Sequence, residues 1–186
     1  MTAPQELRTA RLLLRSLERE DIPTLVRLAG ARAIAATTAN IPHPYAEDDA
    51  LIFLSQAEDD FRAGHSAIFA VTIPPDTELC GAVGLTIAPV PKRAELGYWI
   101  GVPYWGRGVA TEAARAVMAF GFETLRLNRI YAHCFTGNIA SQRVLEKMGM
   151  RHEGQSRRHI QKWDRLIDVE NYELLACEYC GENMSA

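Results

Sequence analysis

The chain has 186 residues, 48% of them hydrophobic and 23% charged, which is enough apolar material for one globular domain with a buried core and excludes a disordered composition. The formal net charge of −3 lacks the basic footprint that nucleic-acid binding requires, so no nucleic acid is expected as a partner. No apolar run approaches the roughly 18 residues of a membrane span, and the N-terminus lacks a signal-peptide core, so the expected location is the cytoplasm with no membrane partner.

Arg8 to Leu17, leucine-rich between arginines, reads as a first strand ended by Glu18-Arg19-Glu20-Asp21. Asp21 is placed to cap a helix with Pro23 in its first turn and Leu25, Val26 and Leu28 on one face, and a second short helical piece follows Gly30. Two prolines make Asn40 to Tyr45 a loop. Ala46 to Ala63 carries Ala50, Leu51, Leu54, Ala57 and Phe61 at helical spacing and ends at Gly64. Its acids Glu47-Asp48-Asp49 suit the helix dipole, whereas Glu58-Asp59-Asp60 form either a solvated face or an attraction for a polyamine.

Ala67 to Ile73 and Leu79 to Ala88 read as a hairpin across Pro74-Pro75-Asp76-Thr77, and Pro89-Val90-Pro91-Lys92 breaks the chain again before a strand from Ala94 to Gly101. A helix from about Val109 to Leu125 turns Val109, Ala113, Ala116, Val117 and Phe120 inward, and the strand Ile130 to Phe135 completes a β-α-β unit. Asn138 caps a helix stopped by Gly149, and two further strands occupy Met150 to Cys177 around the polar stretch Gln155 to Lys162. Cys80 and Cys134 lie in apolar runs that suit a core thiol. Cys177-Glu178-Tyr179-Cys180 has the spacing of half a zinc site but lacks a second pair, so no metal is expected.

The stretch from Tyr98 to Thr111 runs from strand through a loop with Gly106 and Gly108 into a helix, a layout that suits an anion: glycines permit positive φ, and exposed N–H groups meet the positive end of the helix dipole. A third glycine and a ribose-binding acid are missing, which disfavours a Rossmann cofactor, and no Gly-Lys-Ser/Thr triplet supports a P-loop.

Gly106-Arg107-Gly108-Val109-Ala110, preceded by Glu95-Leu96-Gly97-Tyr98-Trp99-Ile100 and followed by Asn138-Ile139-Ala140-Ser141, resembles the GNAT acyl-CoA-dependent N-acetyltransferases. With Leu145 to Met150 and the opening Thr9 to Arg15, the ordered set is similar to the RimJ/RimL-like branch, which acetylates ribosomal-protein N-termini. The resemblance implies one α/β (mixed α+β) domain over residues 1–186, core about 7–177. Its sheet is twisted, mixed and largely antiparallel, with about seven strands splayed at the cofactor site and helices on both faces.

Acetyl-CoA is the implied co-substrate, with the backbone of Ile100 and Val102 bonding the pantetheine and the pyrophosphate over Trp105, Gly106, Arg107, Gly108, Val109, Ala110 and Thr111. Arg107 either pairs with a phosphate or is solvated. Trp105 stands where the family usually has Gln or Arg, and Leu145 stands where many members carry the tyrosine that protonates the thiolate. Ser141 is the nearest match for that acid and Asn138 for a pantetheine contact, although both also suit a helix start. Glu95 matches the family's proton acceptor, or else forms a salt bridge with an arginine such as Arg93. His43 and Tyr45 fall in the acceptor region as contacts or as a rigid connector, and Tyr98 walls the pocket or the core. The implied reaction is direct attack of an amine in a ternary complex, most readily the α-amine of a protein or peptide. The alternatives are a small amine (polyamine, amino acid, aminoglycoside) and a non-catalytic acetyl-CoA-binding module. Exposed strand edges near the C-terminus offer a surface for a homodimer.

Overall fold

The computed structural model describes residues 5–88, 90 and 92–183. Pro89 and Pro91 of the expected turn, and the side chain of Cys180, lie outside the described residues. Among the described residues eight strands form one sheet: β1 (Leu7–Arg8), β2 (Leu13–Arg15), β3 (Ser66–Thr72), β4 (Leu79–Ala88), β5 (Arg93–Ile100), β6 (Arg129–Phe135), β7 (Arg151–Lys162) and β8 (Arg165–Leu175), in the order β1-β2-β3-β4-β5-β6-β8-β7. The helices are α1 (Ile22–Ala29), α2 (Arg32–Ala35), α3 (Glu47–Ala63), α4 (Val109–Ala119), α5 (Ile139–Lys147) and α6 (Ala176–Asn183).

Three expectations are corrected. The count is eight strands rather than about seven because the first expected strand is two short ones. The Thr9 hydroxyl accepts the Leu12 N–H at 2.9 Å while Thr9 N–H donates to Leu12 O at 3.0 Å, so the chain turns back on itself between Arg8 and Leu13. Asp21 makes no side-chain cap on α1. Its carboxylate is buried and takes two parallel bonds from Arg15, both at 2.8 Å, plus the Glu18 N–H at 2.9 Å. The helix begun at Val109 keeps α geometry only to Ala119 and widens into a π turn over Phe120–Thr124.

The two faces of the sheet are covered differently. On one, α4 presents Val109, Ala113, Ala114, Val117 and Met118 to Phe69, Val83, Leu85, Leu96 and Ile130, with Phe120 edge-on to Phe69 at 5.7 Å. Each such fully buried large side chain contributes roughly 1.5–3 kcal/mol. On the other, α1 and α3 close over Ala70 and Leu79 with Leu25, Ala50 and Tyr45, and Trp99 packs against this cluster. Alternation along β5 therefore sends Ala94, Leu96 and Ile100 toward α4 and puts Glu95 on the face of Trp99.

The architecture turns on β5 and β6. Every neighbouring pair is antiparallel except this one, and its parallel pairing covers only Arg93, Ala94 and Glu95 opposite Arg129, Ile130 and Tyr131. Beyond Glu95, β5 stays with β4 to Ile100 while β6 stays with β8 to Phe135, so the two strands part and leave an opening between them. Gly101 N–H donates to Cys80 O on the β4 side, and backbone direction alternates along a strand. The main-chain groups of Leu96, Tyr98 and Ile100 consequently face the opening.

β7 and β8 form a long hairpin bulged twice, between His152 and Gly154 and between Ser156 and Ile160. At its tip Lys162, a residue only 6% exposed, bonds Ile41 O at 2.6 Å and Ala39 O at 3.3 Å through its ammonium. Arg32 and Lys162 each stand 5.6 Å from the centre of the Trp163 ring.

Candidate active site

The glycine loop has the expected anion geometry. Gly106 and Gly108 adopt φ of 74° and 77°, values a side chain resists, and Gly108 is the N-terminal cap of α4 with no side chain bonded there. The first helical bond is Glu112 N–H to Gly108 O, so the N–H groups of Val109, Ala110 and Thr111 precede the ladder and point out of the helix end. Trp105 turns its indole N–H onto Ile100 O, closing the loop over the end of β5. Arg107 stacks over Tyr104 at 5.8 Å, and Val102 O receives Trp105 N–H at 3.2 Å.

The loop is braced from the N-terminal hairpin. Glu112, in the first turn of α4, accepts the Thr9 hydroxyl at 2.6 Å, Arg11 N–H at 2.9 Å and Arg11 Nε at 2.7 Å. Arg11 Nη1 continues to Arg107 O at 3.1 Å. Burial works against the Glu112 carboxylate, but the bonds from Thr9 and Arg11 prevail and hold it below the usual carboxylate range.

Across the opening, the Tyr98 hydroxyl stands 2.8 Å from Ser141 Oγ, and Asn138 Oδ1 accepts Ser141 N–H at 3.2 Å as the cap of α5. Burial pushes the Tyr98 phenol far up, partly opposed by its Ser141 bond, so it stays protonated and able to donate. The Cys134 thiol, also bonded to Ser141, is pushed up to about 11 by burial, the state of an unreactive thiol rather than a nucleophile. Leu145, the position of the family tyrosine, is buried in the core.

Glu95 lies at the last paired position before the strands part, on the opposite face. Its Oε1 is 3.3 Å from Nδ1 of His133, the next β6 residue on that face. His133 in turn meets His159 edge-on at 6.0 Å. Neither histidine shows ligand spacing in the sequence: His133 is legible only as a polar residue alternating with Ile130, Ala132 and Cys134, and His159 lies unmarked in the polar stretch Gln155 to Lys162. Arg93 instead stands over Tyr131 at 5.8 Å, and Arg129 lies 5.9 Å from the same ring. His43 Nδ1 is tied to Gly30 O at 3.1 Å. Tyr45 packs into the α1–α3 cluster, where burial, aided by Asp49, raises its phenol to about 12. The contacts of these two are thus with α1 and α3, while Tyr98, Ser141 and Cys134 come together.

A strand pair splayed beside a glycine-capped helix N-terminus, with a hydroxyl pair on one face and a carboxylate on the other, is the frame of an acyl-CoA-dependent transferase. Residues 11–151 match the family described as "Acetyltransferase (GNAT) domain", and the chain belongs to that family. It is 31% identical over 179 residues to the uncharacterized N-acetyltransferase p20 of Bacillus licheniformis, covering 95% of this chain and 99% of the relative. It is 36% identical over 108 residues to the putative ribosomal N-acetyltransferase YdaF of Bacillus subtilis, covering 58% and 59%. It is 31% identical over 143 residues to the spermidine N(1)-acetyltransferase of Escherichia coli K12, covering 76% and 74%. Among solved structures, a GNAT-family acetyltransferase from Bacillus anthracis superposes with a TM-score of 0.83 at 26% identity over 94% of this chain and all of that one. The ribosomal L7/L12 α-N-protein acetyltransferase RimL, solved with coenzyme A, shares the fold with a TM-score of 0.84 at 18% identity, covering 92% and 98%. The protein is an acetyl-CoA-dependent N-acetyltransferase. Among the described residues no group of side chains is arranged to hold a metal and no helix is long and apolar enough to cross a membrane.

Proposed function

We propose that the acceptor is the α-amine of a protein or peptide, acetylated by direct attack within a ternary complex. The observation that carries this reading is the charge balance around Glu95. The neighbouring carboxylates are already paired with arginines, Glu153 with Arg129 at 2.6 Å and Glu173 with Arg129 and Arg151, so a polycation finds no acidic trough there. Within the acidic run of α3, Glu58 and Asp59 share the one Arg62, each 2.6 Å from it, on an exposed face. A singly charged amine suits such a site, and an α-amine with pKa near 8 needs only a weak base. The name of the Bacillus subtilis relative agrees.

In this reading the pyrophosphate lies on the N–H groups of residues 106–111, and the pantetheine bonds the exposed main chain of β5 near Ile100 and Val102, with the amide of Asn138. Glu95 serves as proton acceptor, directly or through water, and Ser141 with Tyr98 behind it protonates the departing thiolate. His43 and Tyr45 shape the acceptor side. The free thiols Cys80 and Cys134 suit the reducing cytoplasm, and the outer strand β7 is the edge through which we propose two copies pair.

The second reading, a small-amine acceptor, draws on the Escherichia coli spermidine relative. The test is thiol release from acetyl-CoA against peptides of varied N-terminus, polyamines and aminoglycosides, for wild type and Glu95→Gln. Turnover of peptides alone, lost in the variant, supports the first reading; turnover of small amines alone replaces it with the second.

A further inference from the structure

We infer that Glu95 and His133 form a carboxylate–imidazole dyad in which His133 Nε2 takes the proton of the attacking amine and His159 passes it to solvent. The inference rests on the placement of Glu95 as the basic side of the site and names the group that stands in front of it.

The geometry makes the argument. Glu95 and His133 flank the point where β5 and β6 part: Glu95 is the last residue paired with β6, opposite Tyr131, and His133 lies two residues further on the same face. The carboxylate at 3.3 Å from Nδ1 favours the tautomer with its proton on Nδ1, which leaves Nε2 as the acceptor nitrogen. A carboxylate held behind an imidazole orients the ring and stabilises the imidazolium once formed.

The position of His159 points the same way. β7 does not pair with β6, because β8 lies between them, yet His159 reaches the His133 ring. It does so through the second bulge. Between Ser156 and Ile160 the ladder is interrupted, Arg158 takes the left-handed φ of 53°, and its N–H is caught by Asp168 Oδ1 at 2.7 Å. A non-glycine residue at such a φ is disfavoured, and the lost pairs cost more; a bulge of this kind re-aims a side chain, here the imidazole. The His159 side chain is exposed, so a proton that reaches its ring passes to water. The charged and titratable groups sharing this face are Glu95 and Arg93 on β5, Arg129 and Tyr131 on β6, Glu173 on β8, and Arg151, Glu153 and His159 on β7. Of the described carboxylates on this face, Glu153 and Glu173 are paired with arginines and Glu95 with an imidazole.

The protons balance. The amine nitrogen bonds the acetyl carbon, the carbon–sulfur bond breaks with its pair on sulfur, and the amine proton goes to His133 Nε2. The thiolate takes a proton from the Ser141–Tyr98 hydroxyl pair, His159 releases the amine's proton to solvent, and solvent returns one proton to the hydroxyl pair.

The test compares His133→Asn, whose amide N–H can still bond Glu95 in place of Nδ1 but offers no Nε2, with Glu95→Gln and His159→Gln. An N-terminal serine peptide and spermidine serve as acceptors. Expected for His133→Asn is a fall of about 100-fold in kcat/KM for the acceptor, an unchanged KM for acetyl-CoA, and loss of the acid limb of the pH profile. His159→Gln lowers kcat several-fold and keeps the limb. Wild-type kcat/KM in His133→Asn, or a reduced rate with the acid limb intact, overturns the inference. If Glu95→Gln alone is impaired, the dyad falls and the basic role of Glu95 stands; if neither variant is impaired, both fall. Should the asparagine variant melt early, His133→Ala assayed with and without added imidazole carries the comparison, and a rate that imidazole does not restore counts against the dyad.

Discussion

Replacing Glu112 by Gln tests whether the N-terminal hairpin holds the glycine loop in shape. The carboxylate accepts from the Thr9 hydroxyl at 2.6 Å, Arg11 N–H at 2.9 Å and Arg11 Nε at 2.7 Å, and Arg11 Nη2 lies 2.6 Å away. Glutamine keeps one acceptor oxygen and turns an N–H2 toward the guanidinium. A bond to a charged group contributes about 1.5–3 kcal/mol when sheltered, but the Arg11 side chain is 54% exposed, so its ionic part is discounted to at most about 1 kcal/mol. The expected loss is about 2 kcal/mol, or roughly 4–8 °C in Tm for a chain of this size. Because Arg11 also holds Arg107 O, KM for acetyl-CoA should rise a few-fold with little change in kcat. The sign with pH follows from the lowered carboxylate of the folded state. Its stabilisation is complete above the unfolded value of about 4.3 and disappears as pH falls through the lower folded value, so the Tm gap between wild type and variant is full at pH 7 and closes below about pH 4. Thermal melts at pH 7, 5, 4 and 3 measure it; a gap that persists unchanged to pH 3, or one under 1 °C at pH 7, would refute the brace.

Asp21→Ala leaves the Arg15 guanidinium without its buried partner and should cost about 3–5 kcal/mol in urea unfolding; a loss below 1 kcal/mol contradicts the pairing. Gly81→Ala would put a Cβ 2.3 Å from Trp99 O and 2.9 Å from the Ile100 Cα, so β4 and β5 must separate there. It should lose about 1–3 kcal/mol and weaken acetyl-CoA binding by calorimetry, while unchanged affinity would detach the end of β5 from the cofactor. Ser141→Ala should reduce kcat about tenfold at unchanged KM and Tyr98→Phe less, the pattern of a donor acting on the thiolate; a change in KM alone would reassign the pair to substrate binding.

What the sequence made legible was local. Gly106 and Gly108 declared the loop through their backbone freedom, Asn138 its cap, and the 3.6-residue spacing of Ala50, Leu54, Ala57 and Phe61 declared α3. Errors arose where a side chain competes with the main chain. The Thr9 hydroxyl folds an apparent strand into a hairpin, and Asp21 prefers the Arg15 fork to the helix end. The site's contacts were hidden for a different reason. Tyr98 meets Ser141 across 43 residues of sequence, and Glu95 meets His133 only once the register of a three-residue parallel pairing is known. His159 was least accessible, because a bulge shifts the two-residue period by which facing side chains are assigned.

The clasp of Lys162 on Ala39 O and Ile41 O changes the mechanics of the long hairpin that carries His159. A hairpin fixed at its root alone behaves as a cantilever, softest at the free end. Pinned also at the tip, the same two strands become a beam supported at both ends, and their largest bending displacement moves to mid-span. That span includes the kink at Arg158 and the ring of His159. Motion admitting an acceptor would then bow the beam while its ends stay fixed, and the residues of the 39–41 loop, remote from the reacting atoms in sequence, set the tension under which it bows.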